Sequence, residues 1–226
     1  MAEETPGDGW VWVAFGPEHR LIISFAVGPR NEATARELVG DMVTRLDGPL
    51  PLFVSDGYKV YAQMLLEFYG VEFTPPLTGK PGRPAIPRLV PPPELRYGQV
   101  VKHRKKNRVV HVEKRVVFGG DSVNMKDIST SKVERQNLNF RSNNRRLTRK
   151  SIGFSKRHRE HYDHVALQVA EHNIVRPHLG LRVRNSIQTE VRKWIKRTPA
   201  MAAGLTDHIW SLKELLTFPL HKISVC

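Results

Sequence analysis

Cysteine is almost absent from this sequence: the 226 residues hold one, Cys226, at the last position. A lone thiol makes neither a disulfide framework nor a cysteine zinc site. No apolar run reaches about 18 residues, so no transmembrane helix is expected. The first residues, Met-Ala-Glu-Glu, are acidic and polar, unlike the basic start of a signal peptide. These absences predict a cytoplasmic globular protein without a membrane partner.

Acidic residues are scarce in the second half of the chain. Residues 1–95 hold 8 Lys/Arg and 12 Asp/Glu, whereas residues 96–226 hold 28 and 10. The whole excess of positive charge, +14 in total, therefore lies in the second half. A polyanion is the natural partner, because each neutralised phosphate releases counterions. Nucleic acid is favoured; RNA binding or attachment to an anionic membrane would give the same imbalance, although no amphipathic basic helix stands out.

In the first 70 residues, short apolar runs alternate with segments whose apolar residues recur at helical spacing. They predict a hairpin of two strands, a helix, a buried strand and a second helix, at residues 10–15, 21–27, 31–46, 50–55 and 58–69. Eight of the twenty residues in 74–93 are proline, which predicts a stiff segment without regular structure. That stretch marks the boundary between the acidic and basic halves.

The second half is predicted to begin with a two-stranded basic hairpin over Gln99–Phe118. A long helical region then runs from about Thr130 to Arg176, and short helices follow over 186–197 and 211–216. The predicted organisation is residues 1–73 as the first half of a core, 74–98 as a proline-rich linker, 99–120 as a hairpin insertion and 121–226 as a helical part with a basic surface. This order predicts an α/β fold, a mixed sheet flanked by helices. It suits a ribonuclease H-like fold and also other α/β folds.

Two carboxylates could carry chemistry. Asp56 ends a buried strand, where ligands collect in open α/β sheets, but it could equally cap the helix that follows. Glu134 opens a helix in a cation-rich segment, which suits a metal ligand beside a phosphodiester. Ser131-x-x-Glu134 also has the pattern of a capping box.

Other polar motifs have plainer interpretations. His158, His161 and His164 are predicted to be solvated or DNA-facing rather than zinc ligands. Asn173 and His178 end the long helix, where capping and turn packing would explain them. Lys80-Pro-Gly-Arg-Pro84 has the shape of a minor-groove hook, although such sequences are common in linkers.

Four motifs, in order, resemble the IS-one-type insertion-sequence transposases of the Asp-Asp-Glu class. They are Asp56-Gly-Tyr-Lys-x-Tyr61, Ser129-Thr-Ser-Lys-Val-Glu-Arg-Gln-Asn-Leu138, Asn173-x-x-Arg-Pro-His178 and Thr198-Pro-Ala-Met-Ala-Ala-Gly204. The segment around Glu134 is the most specific of them. The strand at 10–15 and Val27-Gly-x-Arg30 agree with the family as well.

The resemblance implies a ribonuclease H-like fold and a site for two Mg²⁺ or Mn²⁺ ions. Asp56 would match the second aspartate of the family and Glu134 its glutamate, both as metal ligands and catalytic groups. The ions would activate water or a DNA 3′-hydroxyl and stabilise the leaving oxygen. Transposon ends and target DNA would be the partners, bound by a homo-oligomer in the nucleoid of a prokaryote.

The predicted DNA contacts come from the basic hairpin and from the segment that follows Glu134. They are Lys102, Arg104, Lys105, Lys106, Arg108, Arg135, Asn137, Arg141, Arg145, Arg146 and Arg149. The basic insertion between His178 and Thr198 departs from the family, and extra phosphate contact is its expected role.

A further departure concerns the first aspartate of the family, which lies on a strand upstream of residues 10–15. Asp8 sits in Pro-Gly-Asp-Gly, a turn sequence, and is out of register. We therefore expect the first, central strand of the sheet to be missing, together with one metal ligand and the family's upstream DNA-binding region. The chain is then expected to be a transposase impaired on its own: either a fused reading frame or a separate upstream polypeptide supplies the missing part, or the chain is a decayed fragment. The alternative is a non-catalytic DNA-binding protein derived from a transposase; a generic RNA-binding protein is a third hypothesis.

Overall fold

The computed structural model describes residues 9–76, 86–148, 152–153, 155, 157–185 and 193–218. They divide into two compact units. Unit 1 combines residues 1–27 with 140–226, and unit 2 is residues 28–139. Some predictions concern residues outside this range: Asp8, Arg149, the Lys80–Pro84 motif and most of the 186–197 helix.

The strands and helices of unit 2 follow the predicted alternation. Along the chain they are α1 (Glu32–Arg45), β3 (Leu52–Asp56), α2 (Val60–Tyr69), β4 (Val71–Phe73), β5 (Arg88–Val90), β6 (Arg96–Lys105), β7 (Arg108–Phe118) and the start of α3 (Ser131–Asn143). Helix α1 begins at Asn31, whose side chain accepts the Thr34 N–H, and buries Ala35, Leu38 and Met42. The predicted apolar face of this helix is confirmed at those three residues.

A three-stranded mixed sheet organises unit 2, in the order β3-β6-β7. Strand β3 runs parallel to β6, with Asp56 opposite Val100, and β7 runs antiparallel to β6. On one face, Val100, Val123 and Ile128 form a buried cluster. On the other, Tyr97 donates to or accepts from Ser55 at 2.6 Å, and Phe53 packs against Tyr69 of α2 at a ring separation of 5.7 Å. The predicted mixed sheet flanked by helices is confirmed.

The proline-rich stretch contains regular structure, contrary to the prediction. Residues Arg88–Val90 form β5, antiparallel to β4, with Val71 opposite Val90. The three residues that follow Pro87 are not proline. Pro91 comes next, and a proline holds the residue before it, here Val90, in an extended conformation. The prediction failed because it averaged composition over twenty residues and overlooked this short run.

Unit 1 is built on β1 (Trp10–Gly16) and β2 (Leu21–Gly28), which pair in a separate two-stranded sheet. The other elements are α4 (His158–Ala170), a π-helical turn at Glu171–Val175, β8 (Val183–Arg184), β9 (Trp194–Ile195), α5 (Pro199–Ala202) and α6 (Leu212–Thr217). Ile22, Val27, Phe140 and Val165 form its buried cluster. The described part of the predicted 186–197 helix is wrong, because Trp194–Ile195 is a strand paired with β8.

The long helix predicted from Thr130 to Arg176 is also wrong, because the chain leaves the helix after Asn143. Asn144 has an extended backbone, φ −130°, and its side chain accepts the Arg146 N–H to open a 3₁₀ turn. Its amide group also lies 2.8 Å from His164 Nδ1 and donates to Gln168 Oε1. Asparagine competes with helical backbone bonds in this way, and here the tertiary contacts to α4 fix the break.

Candidate metal and nucleic-acid site

Asp56 is the last residue of β3, and its carboxylate is 61% exposed. Its Oδ1 accepts the Tyr58 N–H at 3.2 Å, two residues before α2 begins at Val60. Lys59 holds the N-cap position of that helix, so the prediction that Asp56 caps it is wrong. The carboxylate instead closes a local Asx turn, and an oxygen remains exposed at the carboxyl end of the strand.

Glu134 lies in the first turn of α3, and Lys102 of β6 binds its Oε1 at 2.5 Å. The Thr130 hydroxyl donates to the same oxygen at 2.6 Å. Partial burial would raise the pKa of Glu134, but the hydrogen bonds from Lys102 and Thr130 outweigh it and lower the pKa below its ordinary value. The predicted Ser131 capping box is wrong, because Thr130 engages this carboxylate and Ser131 pairs with Ser129.

Asp56 and Glu134 are directed to one face of the mixed sheet. Leu52 and Val54 pack against the cluster of Val100, Val123 and Ile128. Strand alternation therefore places Asp56 on the same face as these residues, and Lys102 on the same face as Val100. Strand spacing and rise put the Cα atoms of Asp56 and Lys102 about 8 Å apart. Lys102, which binds Glu134, therefore lies on the same face as Asp56.

Gly98 sets how closely the segment before α3 approaches the sheet. A Cβ at this position would lie 2.7 Å from Ile128 Cδ1 and 2.8 Å from Cγ1. Ile128 is fully buried and lies six residues before Glu134. The missing side chain at Gly98 therefore lets Ile128 seat on β6, and this seating positions the first turn of α3.

A cation and two aromatic rings surround Asp56. The Arg30 Nη2 lies 3.7 Å from Asp56 Oδ2, and its guanidinium stacks 4.7 Å above the centre of the Tyr58 ring. Tyr58 meets Tyr61 edge to face at 5.9 Å. Burial, and then the charge of Asp56, raise the pKa of Tyr61 well above its usual range, so this phenol stays protonated. Sequence reasoning missed Arg30 as a neighbour of Asp56, since 26 positions separate them.

The described residues contain no group of three or more His, Cys, Asp or Glu side chains arranged to hold a metal ion. Asp56 and Glu134 supply hard oxygen donors, the kind that Mg²⁺ prefers. Protein sites often hold Mg²⁺ through one or two carboxylates, with water and substrate phosphate completing the shell. In the structure the Lys102 ammonium pairs with Glu134, and the Asp56 carboxylate remains 61% exposed.

The β6–β7 hairpin extends the sheet into a basic arm, residues 102–112, all of them exposed. Lys106 and Asn107 form its two-residue turn with φ of 50° and 62°, the signature of a type I′ hairpin turn. The arm carries five of the predicted DNA contacts, Lys102, Arg104, Lys105, Lys106 and Arg108. It projects cations from both faces of a narrow ribbon, a shape that a nucleic-acid groove accommodates.

The other predicted DNA contacts lie along and after α3. In unit 2, Arg135 is exposed and Asn137 half-buried; in unit 1, Arg141 is half-buried and Arg145 and Arg146 are exposed. Arg146 also donates to Ser155 Oγ at 3.3 Å. The structure therefore distributes these cations over both units, with the hairpin set in unit 2.

Of the three histidines of α4, His161 is buried in unit 1, which corrects the prediction of a solvated or DNA-facing side chain, whereas His158 and His164 are exposed as predicted. His158 Nε2 lies 2.8 Å from the Val27 carbonyl oxygen, and His164 pairs with Asn144. His161 is 6% exposed, and its burial lowers its pKa.

Asn173 and His178 also hold unit 1 together. Asn173 accepts the Ile22 N–H at 3.0 Å and donates to the Ile22 carbonyl at 2.9 Å, so one amide satisfies both backbone groups of a β2 residue. His178 Nδ1 accepts the Gly180 N–H, and burial, followed by the charge of Arg20, lowers the His178 pKa. The prediction of turn packing fits His178, whereas the strand contact of Asn173 spans 151 positions and could not be read from its neighbours.

Comparison with known proteins adds no assignment: no family model, no curated protein and no solved structure matches this chain. Among the described residues, no helix combines the length and apolar character needed to cross a membrane. The functional assignment therefore depends on the geometry of the site and on the sequence motifs.

Proposed function

We propose that this chain is a DNA transposase of the Asp-Asp-Glu type, with a ribonuclease H-like core, related to the IS-one-type insertion sequences. The observation that carries the proposal is the pair Asp56 and Glu134, directed to one face of a mixed sheet at the carboxyl end of β3. In open α/β sheets this edge is where ligands bind. Cations of the hairpin and Arg135 of α3 lie in the same unit and suit the phosphates of DNA.

Asp56 and Glu134 would hold Mg²⁺ or Mn²⁺, two ions in the complete site, against the scissile phosphate. Such ions would supply activation of an attacking water and stabilisation of the leaving oxygen. Arg30 would orient Asp56 through their 3.7 Å contact, and Thr130 would orient Glu134 through its hydroxyl. Two carboxylates hold two ions poorly, so we expect slow cleavage by this chain alone.

The first experiment measures nicking of end-sequence DNA with Mg²⁺ or Mn²⁺. We expect weak cleavage that Asp56→Asn and Glu134→Gln each lower at least about tenfold, a loss typical for removing one catalytic interaction. Asp121→Asn is the matched control, since this exposed carboxylate lies in a turn away from the pair. Cleavage unaffected by either site variant would exclude the assigned roles, and strong cleavage would show that no third carboxylate is required.

A second experiment tests the hairpin as the principal DNA contact. Replacing Lys105, Lys106 and Arg108 with alanine should weaken duplex binding and flatten the plot of log affinity against log salt. Each lost phosphate contact removes about 0.9 from that slope. Lys213→Ala, an exposed cation on α6, is the control and should leave the slope unchanged. An unchanged slope in the triple variant would remove the hairpin from the interface, and equal binding to RNA would favour a general RNA-binding role.

A non-catalytic DNA-binding protein derived from a transposase is the second candidate. The Lys102–Glu134 ion pair favours it, because an ammonium group satisfies the carboxylate without a metal ion. This candidate predicts salt-sensitive DNA binding that Asp56→Asn and Glu134→Gln leave intact, together with no metal-dependent cleavage. The cleavage and binding assays therefore distinguish the two functions.

A separate N-terminal polypeptide and a homo-oligomer on DNA complete the proposal, with the nucleoid as its location. In the described residues, β1-β2 and β3-β6-β7 are separate sheets. The family resemblance implies a further strand, which carries the first aspartate of the family. A peptide with that strand should restore cleavage when added to the chain. Its failure, with DNA binding intact, would support the non-catalytic alternative.

A further inference from the structure

Within the basic insertion after His178, the described residues form a small two-stranded ribbon of β8 and β9 in unit 1. Val183 pairs with Ile195 and Arg184 with Trp194, in antiparallel register. The Asn185 N–H continues the ladder by donating to the Lys193 carbonyl. The ribbon is therefore an ordered element over its described residues.

Backbone and side-chain bonds anchor the base of the ribbon. The His178 N–H donates to the Arg197 carbonyl at 2.9 Å, and Arg197 Nε donates to the Leu181 carbonyl at 2.9 Å. Leu181 is buried at 7% exposure. An anchored base holds the ribbon in a fixed orientation on unit 1, and this preorganisation favours binding.

The two faces of the ribbon differ in chemistry. Directly opposed residues of an antiparallel pair project to the same face, and so do residues two apart on one strand. Trp194 therefore shares a face with Arg184 and, by alternation, with Arg182 and Lys196. Val183 and Ile195 project from the other face. The sequence has thus placed one exposed indole among three cations.

The Trp194 ring is oriented by a neighbouring cation and remains accessible for stacking. The Arg182 guanidinium lies over its ring at 4.4 Å from the centroid, and the side chain still exposes 40% of its surface. A cation on one ring face fixes the plane of the indole and adds positive potential beside it. Unpaired bases stack on such aromatic rings, and neighbouring cations bind their phosphates. A duplex buries its base faces and offers no partner for the ring.

We propose that the β8–β9 ribbon is a binding site for single-stranded nucleic acid, with Trp194 as the stacking platform and Arg184 and Lys196 as phosphate contacts. The site is independent of Asp56 and Glu134 and of the β6–β7 hairpin. It would hold an unpaired strand, whichever of the two functions proposed above the chain performs. The separation of the indole from the apolar face favours a nucleic acid over an anionic membrane.

The test compares the full chain and its variants by fluorescence anisotropy on a labelled oligothymidylate of about 15 nucleotides, near the upper site size of such modules. Trp194→Ala should weaken binding about tenfold, the loss of one stacked base, while Trp194→Phe should retain most of it. Binding to a duplex of equal length should change less than twofold. An oligonucleotide with abasic positions should bind wild type and Trp194→Ala equally.

Ile195→Ala is the matched control, because it truncates an exposed side chain on the opposite face of the same ribbon. We expect it to bind the oligothymidylate as wild type does. Equal losses in Trp194→Ala and Ile195→Ala, or equal losses on single strand and duplex, would overturn the proposal. So would Trp194-dependent binding to phosphatidylserine vesicles without any to oligothymidylate. Impaired cleavage in the Asp56 and Glu134 variants has no bearing on this outcome.

Discussion

Gly98 has no side chain, and this allows Ile128 to pack against β6 and to position the helix that carries Glu134. The glycine lies on a central strand, where glycine weakens a sheet unless another group approaches closely. That group here is Ile128, whose Cδ1 would stand 2.7 Å from any added Cβ. The contact matters for function because Ile128 leads into the helix that carries Glu134. Composition and periodicity mark Gly98 only as an unfavourable residue within a strand.

Gly98→Ala should lower the free energy of unfolding by about 1–3 kcal/mol, the usual cost of overpacking a core. Urea unfolding followed by circular dichroism measures the change. Gly16→Ala is the control, because its Cβ would meet Ile23 Cδ1 at 3.4 Å, an ordinary contact. If both variants unfold at the same urea concentration as wild type, Ile128 has room to move and Gly98 does not set its position.

At the scale of the secondary-structure element, the six-residue helix α6 is held by a hydrogen-bond network at its N-terminus. Ser211 and Glu214 form a reciprocal capping box. His208 joins it, with Nε2 2.8 Å from Glu214 Oε1 and Nδ1 2.6 Å from Asp207 Oδ1. The hydrogen bond to Asp207, and then that to Glu214, raise the pKa of His208 above its ordinary value near 6.5.

The raised pKa predicts how α6 responds to pH. A histidine with a higher pKa in the folded state stabilises it fully below the unfolded value, and loses that contribution as pH rises through the folded value. Amide hydrogen exchange in α6, corrected for its intrinsic pH dependence, should therefore accelerate as pH rises from about 6. His208→Gln should abolish this dependence. Protection that stays constant up to pH 9 in wild type would show that the imidazolium does not secure the helix.

Two other features show whether the local sequence or tertiary contacts determine the backbone conformation. The hairpin turn at Lys106-Asn107 follows from local chemistry, since asparagine tolerates positive φ and the flanking strands are β-branched. The break at Asn144 depends instead on His164 and Gln168, which lie 20 and 24 positions away. Helical periodicity continues across Asn144, so pattern alone predicted one helix where there are two.

At the scale of the whole molecule, the two units differ in how the chain builds them. Unit 2 is one continuous segment, residues 28–139, whereas unit 1 joins the first 27 residues to the last 87. Unit 2 contains its own buried cluster and both proposed metal ligands. A continuous segment with its own core is the usual form of a domain that folds by itself.

A fragment of residues 28–143, which is unit 2 extended to the end of helix α3, should therefore fold when expressed alone. We expect a single cooperative urea transition in circular dichroism and retained, salt-sensitive binding to duplex DNA through the hairpin. The same fragment carrying Leu38→Ala, which creates a cavity at a buried position, should unfold about 2–5 kcal/mol more easily. A fragment that unfolds gradually, without a transition, would mean that unit 2 needs unit 1 to fold.

The sequence by itself determined the charge asymmetry, the α/β class and most helix and strand positions in the first 70 residues. These depend on local periodicity, turn chemistry and composition, which a short window contains. Only the tertiary structure decided that Lys102 binds Glu134, that Arg30 faces Asp56, that His161 is buried, and that Trp194 lies among cations on a ribbon. Each of those contacts joins residues whose distance in space is set by strand register and helix packing, and no local pattern records that distance.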